Sequence, residues 1–135
     1  MANSQAFIQF YDEPMWESIR AQRWALQQCD DCSQYQYPPG PCCPHCLSLS
    51  TSWKPLSGKG KIISWVVFHR QYFDNYKPPY NVVAVQLAEG PLVISNLVGP
   101  EPEGGWIGRE VTICYEPDAE QGSIPKVMLS EPPAA

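Results

Sequence analysis

Polar and apolar residues change rhythm twice along this chain. Between Glu13 and Gln22 the residues Met15, Trp16 and Ile19 recur at helical spacing. Asp12 stands as a candidate N-cap, Pro14 falls in the first turn, and Glu13 and Glu17 come early, where the helix dipole favours acids. In "RWALQQ" the pattern shifts to alternation, with Trp24 and Leu26 set between polar residues, as in a strand. "LSLSTSWKPLSG" reads as a second short strand returning beside it.

From Gly58 onward β runs alternate with turn signals. "KGKIISWVVFHRQ" is a long run with Gly60 placed where it bends. "NVVAVQLAEG" and "PLVISNLVG" flank Glu89, Gly90 and Pro91, a hairpin signal, and "REVTICYEP" and "IPKVMLS" supply two further strands. Five such strands suit a small Greek-key barrel of the OB type, because closure removes exposed edges. "GPEPEGGWIG" falls where such barrels carry a loop or short helix. The expected fold is therefore mainly β: an N-terminal helical segment (1–22), a ribbon (23–55), a five-stranded OB-fold domain (56–130) and a disordered tail (131–135).

Five of the six cysteines lie in "CDDCSQYQYPPGPCCPHC". Cys29 pairs with Cys32 and Cys43 with Cys46, each pair two residues apart, so that each turn presents two thiolates to one ion. Two such pairs close a tetrahedral Zn(Cys)4 site. Pro38, Pro39, Gly40 and Pro41 stiffen the reversal that brings the second pair to the first. Cys43 is preferred over Cys42 because Cys42 would leave a three-residue gap. His45 then reads as a solvent-facing turn residue, and Cys42 and Cys114 have no assigned role. Four thiolates leave the ion no open position, so the zinc, one per chain, is expected to be structural.

Charge narrows the function. Nine Lys and Arg against 14 Asp and Glu give a net charge of −5, and the cations are scattered singly. Zinc ribbons and OB barrels both occur in nucleic-acid binding, and Trp65, Tyr72, Phe73, Tyr76 and Tyr80 offer stacking surfaces. The acidic balance argues against that alternative, since single-strand binders combine stacking with a positive groove. No nucleophile elbow, paired-carboxylate motif or phosphate-cradling glycine loop is present, and His69 reads as a strand-end residue rather than a catalytic one. The start lacks the basic and apolar runs of a signal peptide, and runs such as "IISWVVF" are too short to span a membrane. The expected setting is the cytoplasm, where clustered thiols serve as metal ligands more often than as disulfides.

These motifs in combination resemble the DUF35 family: C-x-x-C followed by "YPPGPCCPHC", then "GKGKIISWVVFHR", "PPYNVVAVQLAEGPLVISNLVG" and "IGREVTICYEP". The resemblance runs from about Tyr11 to Met128. It implies a rubredoxin-like zinc ribbon joined to an OB fold, acting as a non-catalytic partner that bridges or stabilises thiolase-superfamily enzymes. Such enzymes are thiolases, acyltransferases and steroid side-chain aldolases or hydratases working on acyl-CoA, and a contribution to a CoA channel is also implied. Two positions depart from the family's pattern: Ser33 stands where Gly is common, and Gly40 where an Arg often follows the Pro-Pro pair. The second change removes a cation that would face a CoA phosphate or an acid of the partner.

The residues themselves also point to a partner. "HRQYFDNYKPPY" carries four aromatics, and aromatics and Arg are the types that anchor interfaces. His69, Arg70, Tyr72, Phe73, Tyr76, Lys77 and Tyr80 are the expected interface, hetero-oligomeric with the thiolase-like subunit and near the CoA entrance. Phe73 and Tyr76 are its expected anchors.

Overall fold

A computed structural model describes residues 10–74 and 76–130. Residues 1–9 of the N-terminal segment and the tail expected at 131–135 lie outside them. The chain opens with a 3-10 turn, Phe10–Asp12, running into helix α1, Glu13–Arg20. Asp12 holds the N-cap position in helical conformation (φ −83°, ψ −22°) and makes no side-chain cap bond, so the preceding turn does the work expected of the cap. The helix also stops two residues earlier than its pattern suggests. Gln22 takes a left-handed φ of 59°, and the amides of Gln22 and Arg23 bond the carbonyls of Ile19 and Ser18.

Three strands form the ribbon, in the order β2 (Tyr35–Gln36), β1 (Ala25–Cys29), β3 (Thr51–Pro55), all antiparallel. The second sheet runs β6 (Leu92–Ser95), β5 (Tyr80–Leu87), β4 (Lys59–Phe68), β7 (Glu110–Asp118), β8 (Gly122–Leu129). It curls until its two ends approach. There Leu97, just past β6, bridges Val127 of β8 in parallel, with Val98 N–H donating to the Val127 carbonyl and Val127 N–H to that of Asn96. This is the OB arrangement, a curled five-stranded sheet closed at a narrow seam.

One core serves both sheets. Val83, Val85, Val93, Val111, Val127 and Ile62 point inward and join Met15 and Ile19 of α1 and Trp24 and Leu26 of the ribbon. Polar bonds cross the same boundary: Trp24 N–H donates to the Tyr115 hydroxyl at 2.9 Å, and Ala25 N–H to the Ser18 hydroxyl at 2.9 Å. "GPEPEGGWIG" forms a loop rather than a helix. Its Trp106 is buried and stacks on Trp65 with centroids 4.2 Å apart and planes 10° from parallel, so Trp65 already has a ring partner within the chain.

Gly60 precedes the register irregularity of β4. The register slips further on, between Ile62 and Ser64, where one extra residue is inserted. Gly60 sits instead where β4 is flanked on both sides, opposite Leu87 and Val111. A Cβ there would lie 2.7 Å from Val85 Cγ1 and 2.8 Å from the Gln86 carbonyl oxygen. Gly60→Ala is expected to destabilise the chain by about 1–3 kcal/mol, the usual scale of overpacking. A urea midpoint lowered at unchanged slope would show this, and an unchanged midpoint would refute it.

Candidate metal centre and partner surface

Two turns of the same construction carry the thiols. In the first, Cys29 ends β1, Ser33 N–H bonds the Cys29 carbonyl, and Cys32 N–H points at Cys29 Sγ, 3.4 Å away. In the second, Leu47 N–H bonds the Cys43 carbonyl and His45 N–H approaches Cys43 Sγ at 3.4 Å. The residue after each second cysteine is left-handed: Ser33 at φ 65° and Leu47 at φ 66°. Ser33 therefore holds, as a non-glycine residue, a backbone conformation that Gly adopts without strain.

The turns face each other. Cys29 Sγ lies 3.5 Å from Cys46 Sγ, Cys32 Sγ lies 3.5 Å from Cys43 Sγ, and all four sulfurs fall within 4.8 Å of one another. A tetrahedral ion with bonds of about 2.3 Å sets sulfurs roughly 3.8 Å apart, so the cluster has the dimensions of a four-thiolate site. His45 is exposed, and Cys42 is not among the clustered sulfurs. The protons are unequally shared. The Cys32 amide bond is foremost in lowering Cys29, to about 7. Cys46 is pushed up to about 12: the Ser48 amide lowers it, and the neighbouring thiol of Cys29, burial and the other two thiols outweigh that amide. Four adjacent sulfurs cannot all ionise without a cation between them.

Polar contacts set the turns against each other. Asp31 accepts from the Ser48 hydroxyl at 2.5 Å, joining first turn to second. Asp30 accepts from the hydroxyls of Ser50 and Ser52, both at 2.8 Å, and these bonds, Ser50 first, hold its carboxyl below the usual range. The Pro-rich reversal is pinned from inside. Gln27 and Gln36, opposite each other on β1 and β2 and both buried, bond amide to amide and clasp the backbone of Gly40: Gly40 N–H donates to Gln27 Oε1 at 2.9 Å, and Gln27 Nε2 to the Gly40 carbonyl at 3.1 Å. The sequence reading missed this clasp, whose signal was a glutamine amid the apolar residues of "ALQQC" and another in "YQY".

Leu47 shows what the second turn demands. A leucine in left-handed backbone is strained, and this one is 74% exposed, so its side chain contributes little burial. Leu47→Gly is expected to raise stability by about 1 kcal/mol, seen as a higher thermal midpoint in the metal-loaded protein. A lower midpoint would show that the leucine is held by contacts rather than tolerated.

The loop from His69 to Tyr80 divides in two. His69, Arg70, Tyr72, Phe73 and Lys77 are exposed, with Tyr72 at 58% and Phe73 at 62%. Tyr76 and Tyr80 turn back onto the barrel. The Tyr80 ring stacks on Phe68 at 5.3 Å, Tyr76 lies 5.4 Å from Tyr80, and the Tyr76 hydroxyl accepts from Lys126 Nζ at 3.0 Å. Lys126 is 6% exposed, donates also to Asn96 Oδ1 at 2.5 Å, and has its ammonium 4.8 Å from the Tyr76 ring centre. Tyr76 is thus a structural ring, not a free anchor.

Between this loop, α1 and the sheet lies an open cleft of about 540 Å³. It adjoins an apolar outer face of the sheet, where register places Val66 opposite Val82, and Ile94 opposite Ala84. Val66, Leu92 and Ile94 are half or more exposed.

A four-thiol ribbon followed by a curled OB sheet defines a two-module, zinc-ribbon and OB-fold class of protein. The family model described as the ChsH2 rubredoxin-like zinc ribbon domain matches residues 16–52, and that described as the ChsH2 C-terminal OB-fold domain matches residues 53–116. A DUF35 domain-containing scaffold protein of Methanothermobacter thermautotrophicus is 32% identical over 118 residues, spanning 80% of this chain and 88% of that protein. A probable enoyl-CoA hydratase alpha subunit of Thermomonospora curvata is 36% identical over 111 residues, 81% of this chain. This chain spans only 35% of that subunit's length. Among solved structures, the Ltp2-ChsH2(DUF35) aldolase has a chain that superposes with a TM-score of 0.82 at 30% identity, covering 91% of this chain and 97% of that one. The chain belongs to the DUF35 family.

Proposed function

We propose that this chain is a non-catalytic accessory subunit that binds and stabilises a thiolase-superfamily enzyme acting on acyl-CoA substrates. The observation that carries the reading is the exposed apolar surface running from Val66, Leu92 and Ile94 on the sheet to Tyr72 and Phe73 on the loop. A patch of that kind marks a partner site. The names of its relatives agree: a scaffold protein, a hydratase alpha subunit and an aldolase complex. The rim formed by His69, Arg70, Tyr72, Phe73 and Lys77 is the part assigned to the partner, beside the entrance for the CoA ester. Tyr76 and Tyr80 support that rim from behind.

Cys29, Cys32, Cys43 and Cys46 hold one zinc, which supplies a cross-link between the two turns. Four protein ligands leave the ion no position for substrate, which argues for a structural metal. None of the six cysteines is in a disulfide, in keeping with a cytoplasmic setting, and no helix among the described residues is long and apolar enough to cross a membrane. The nucleic-acid alternative is disfavoured by the face an OB barrel offers to oligonucleotides. Here that face presents Val82, Ala84, Leu92 and Ile94 rather than cations.

Co-expression with a thiolase-superfamily enzyme from the same organism tests the proposal. The two should elute together, the enzyme's activity or solubility should rise, and the isolated chain should show no turnover. Acyl-CoA cleavage by the chain alone, abolished by replacing His69, would overturn it.

A further inference from the structure

The second half of β4 has one side without a neighbouring strand. β7 follows β4 only from Lys59 to Lys61, and the loop at 98–109 last meets its backbone at Ile62, where Ile62 N–H bonds the Arg109 carbonyl and Gly108 N–H bonds that of Ile62. Past the irregularity, β4 pairs with β5 in unbroken register, from Ser64 opposite Ala84 to Phe68 opposite Tyr80. In an antiparallel ladder the backbone groups of successive residues face the two neighbours by turns. Leu87 N–H bonds the Pro91 carbonyl and Ala88 N–H that of Lys59, so odd-numbered residues of β5 face β6 and even-numbered ones face β4. Ser64, Val66 and Phe68 stand opposite even-numbered residues and are committed to β5. Trp65 and Val67 turn their N–H and C=O groups the other way, where no group of the described residues receives them.

Sheet edges are usually blunted by a lysine, a proline or a bulge. Residues 64–68, "SWVVF", carry none of these. Both faces beside the edge are open as well: Trp65 is 38% and Val67 37% exposed, and Val66, on the opposite face, is 50% exposed. Trp106 stacks on the Trp65 ring and bonds no backbone group of β4. Charge then decides what fits. Lys59 and Lys61 precede the edge and Arg70 follows it. All three are exposed and none forms an ion pair among the described residues, although Glu110 stands opposite Lys61. A second copy paired antiparallel would bring the Lys61 end of one chain to the Arg70 end of the other, like charge against like. A strand with acids at its two ends meets both sets of cations.

We infer that the free edge of β4 takes up an extended strand of another protein by antiparallel addition, a strand uncharged and β-branched through about five residues with a carboxylate at each end. The bonds are made by backbone, so the inference does not depend on the accessory-subunit reading.

The test uses the isolated, zinc-loaded full chain and the peptide Asp-Val-Thr-Val-Thr-Val-Asp, acetylated and amidated. Saturable binding is expected by isothermal titration, and its absence overturns the inference. Amide hydrogen exchange should be fast at Trp65 and Val67 in the free chain and slow in the complex, with Val66 protected in both. Two N-methylated isomers separate backbone pairing from apolar contact: one carries the methyls on its valines, the other on its threonines, and only one of them blocks the donors that face β4. One isomer should keep its affinity within about twofold and the other lose at least about tenfold. Loss by both, or by neither, overturns strand addition. A peptide with Lys in place of both Asp residues should bind at least about tenfold more weakly at low salt, and equal affinity overturns the carboxylate requirement. Val67→Pro removes an edge donor that β5 does not use and should abolish binding at unchanged zinc content. Retained binding overturns the assignment, and should that variant fail to fold, the N-methylated pair decides. Concentration-dependent dimers of the free chain with the same two amides protected would give the edge to a second copy and overturn the partner-strand reading.

Discussion

Cys43→Ser protein is expected to emerge without zinc and largely unfolded, while Cys42→Ser keeps one zinc per chain and its thermal midpoint. Cys43 Sγ lies 3.5 Å from Cys32 Sγ inside the cluster, whereas Cys42 contributes no sulfur to it. Apparent binding free energies of structural zinc run to about 10–16 kcal/mol in small domains, far more than the net stability of a chain of this size. The damage should not stop at the ribbon, because Trp24 and Leu26 of the ribbon lie in the same core as Val83 and Val127 of the barrel. A chelator should therefore lower the melting point of the whole chain in one transition. The pH dependence has a definite sign. With Cys46 pushed up to about 12 and Cys32 raised as well, these two thiols hold their protons in the metal-free state at neutral pH, and zinc must displace them. Affinity is thus expected to rise with pH and fall on acidification. Elemental analysis showing no zinc in the wild type, or loss of zinc from Cys42→Ser with retention in Cys43→Ser, would overturn the assignment.

How much of this centre was legible follows from how locally it is encoded. Two C-x-x-C pairs around a Pro-rich turn state their chemistry within 18 residues, and the turn needs no distant contact to be recognised. The strands of the barrel were readable for the same reason, each being a short apolar run between turn residues. What escaped depends on partners far along the chain. The two-residue strand Tyr35–Gln36 exists because β1 offers it a ladder. The bulge after Ile62 reflects the need for β4 to leave β7 while staying on β5. The end of α1 came early because Arg23 had to turn toward the ribbon, and no residue at Gln22 announced a left-handed cap as glycine would. Tyr76 read as a free anchor because its acceptor role depends on Lys126, fifty residues away.

That last pairing reshapes the second large effect. Replacing Tyr72 and Phe73 together by Ala is expected to weaken the complex with the partner enzyme by more than roughly 2 kcal/mol, about 30-fold in affinity. The isolated chain should keep its zinc and its midpoint, because both rings are more than half exposed. Tyr76→Phe is the contrasting variant. It removes the hydroxyl that accepts from Lys126 Nζ and leaves a buried ammonium short of a partner, so it should lower the chain's own stability by about 1–3 kcal/mol. Isothermal titration with the purified enzyme, beside thermal melts of each variant alone, separates the two effects. Normal partner binding by the stable Tyr72/Phe73 double variant would place the interface elsewhere on the surface.

The buried ammonium of Lys126 also constrains how sequences of this kind can drift. Its partners come from two separate stretches of chain: Tyr76 of the loop offers both its hydroxyl and its ring face, and Asn96 of the seam offers its side-chain oxygen. A lineage that lost the hydroxyl at position 76 would carry an under-satisfied charge in its barrel until position 126 became apolar. A lineage that first acquired an apolar residue at 126 would be free to change 76 and 96 afterwards. Substitution histories should therefore show the lysine changing first and positions 76 and 96 only afterwards, so that relatives keeping the lysine at 126 also keep both of its acceptors.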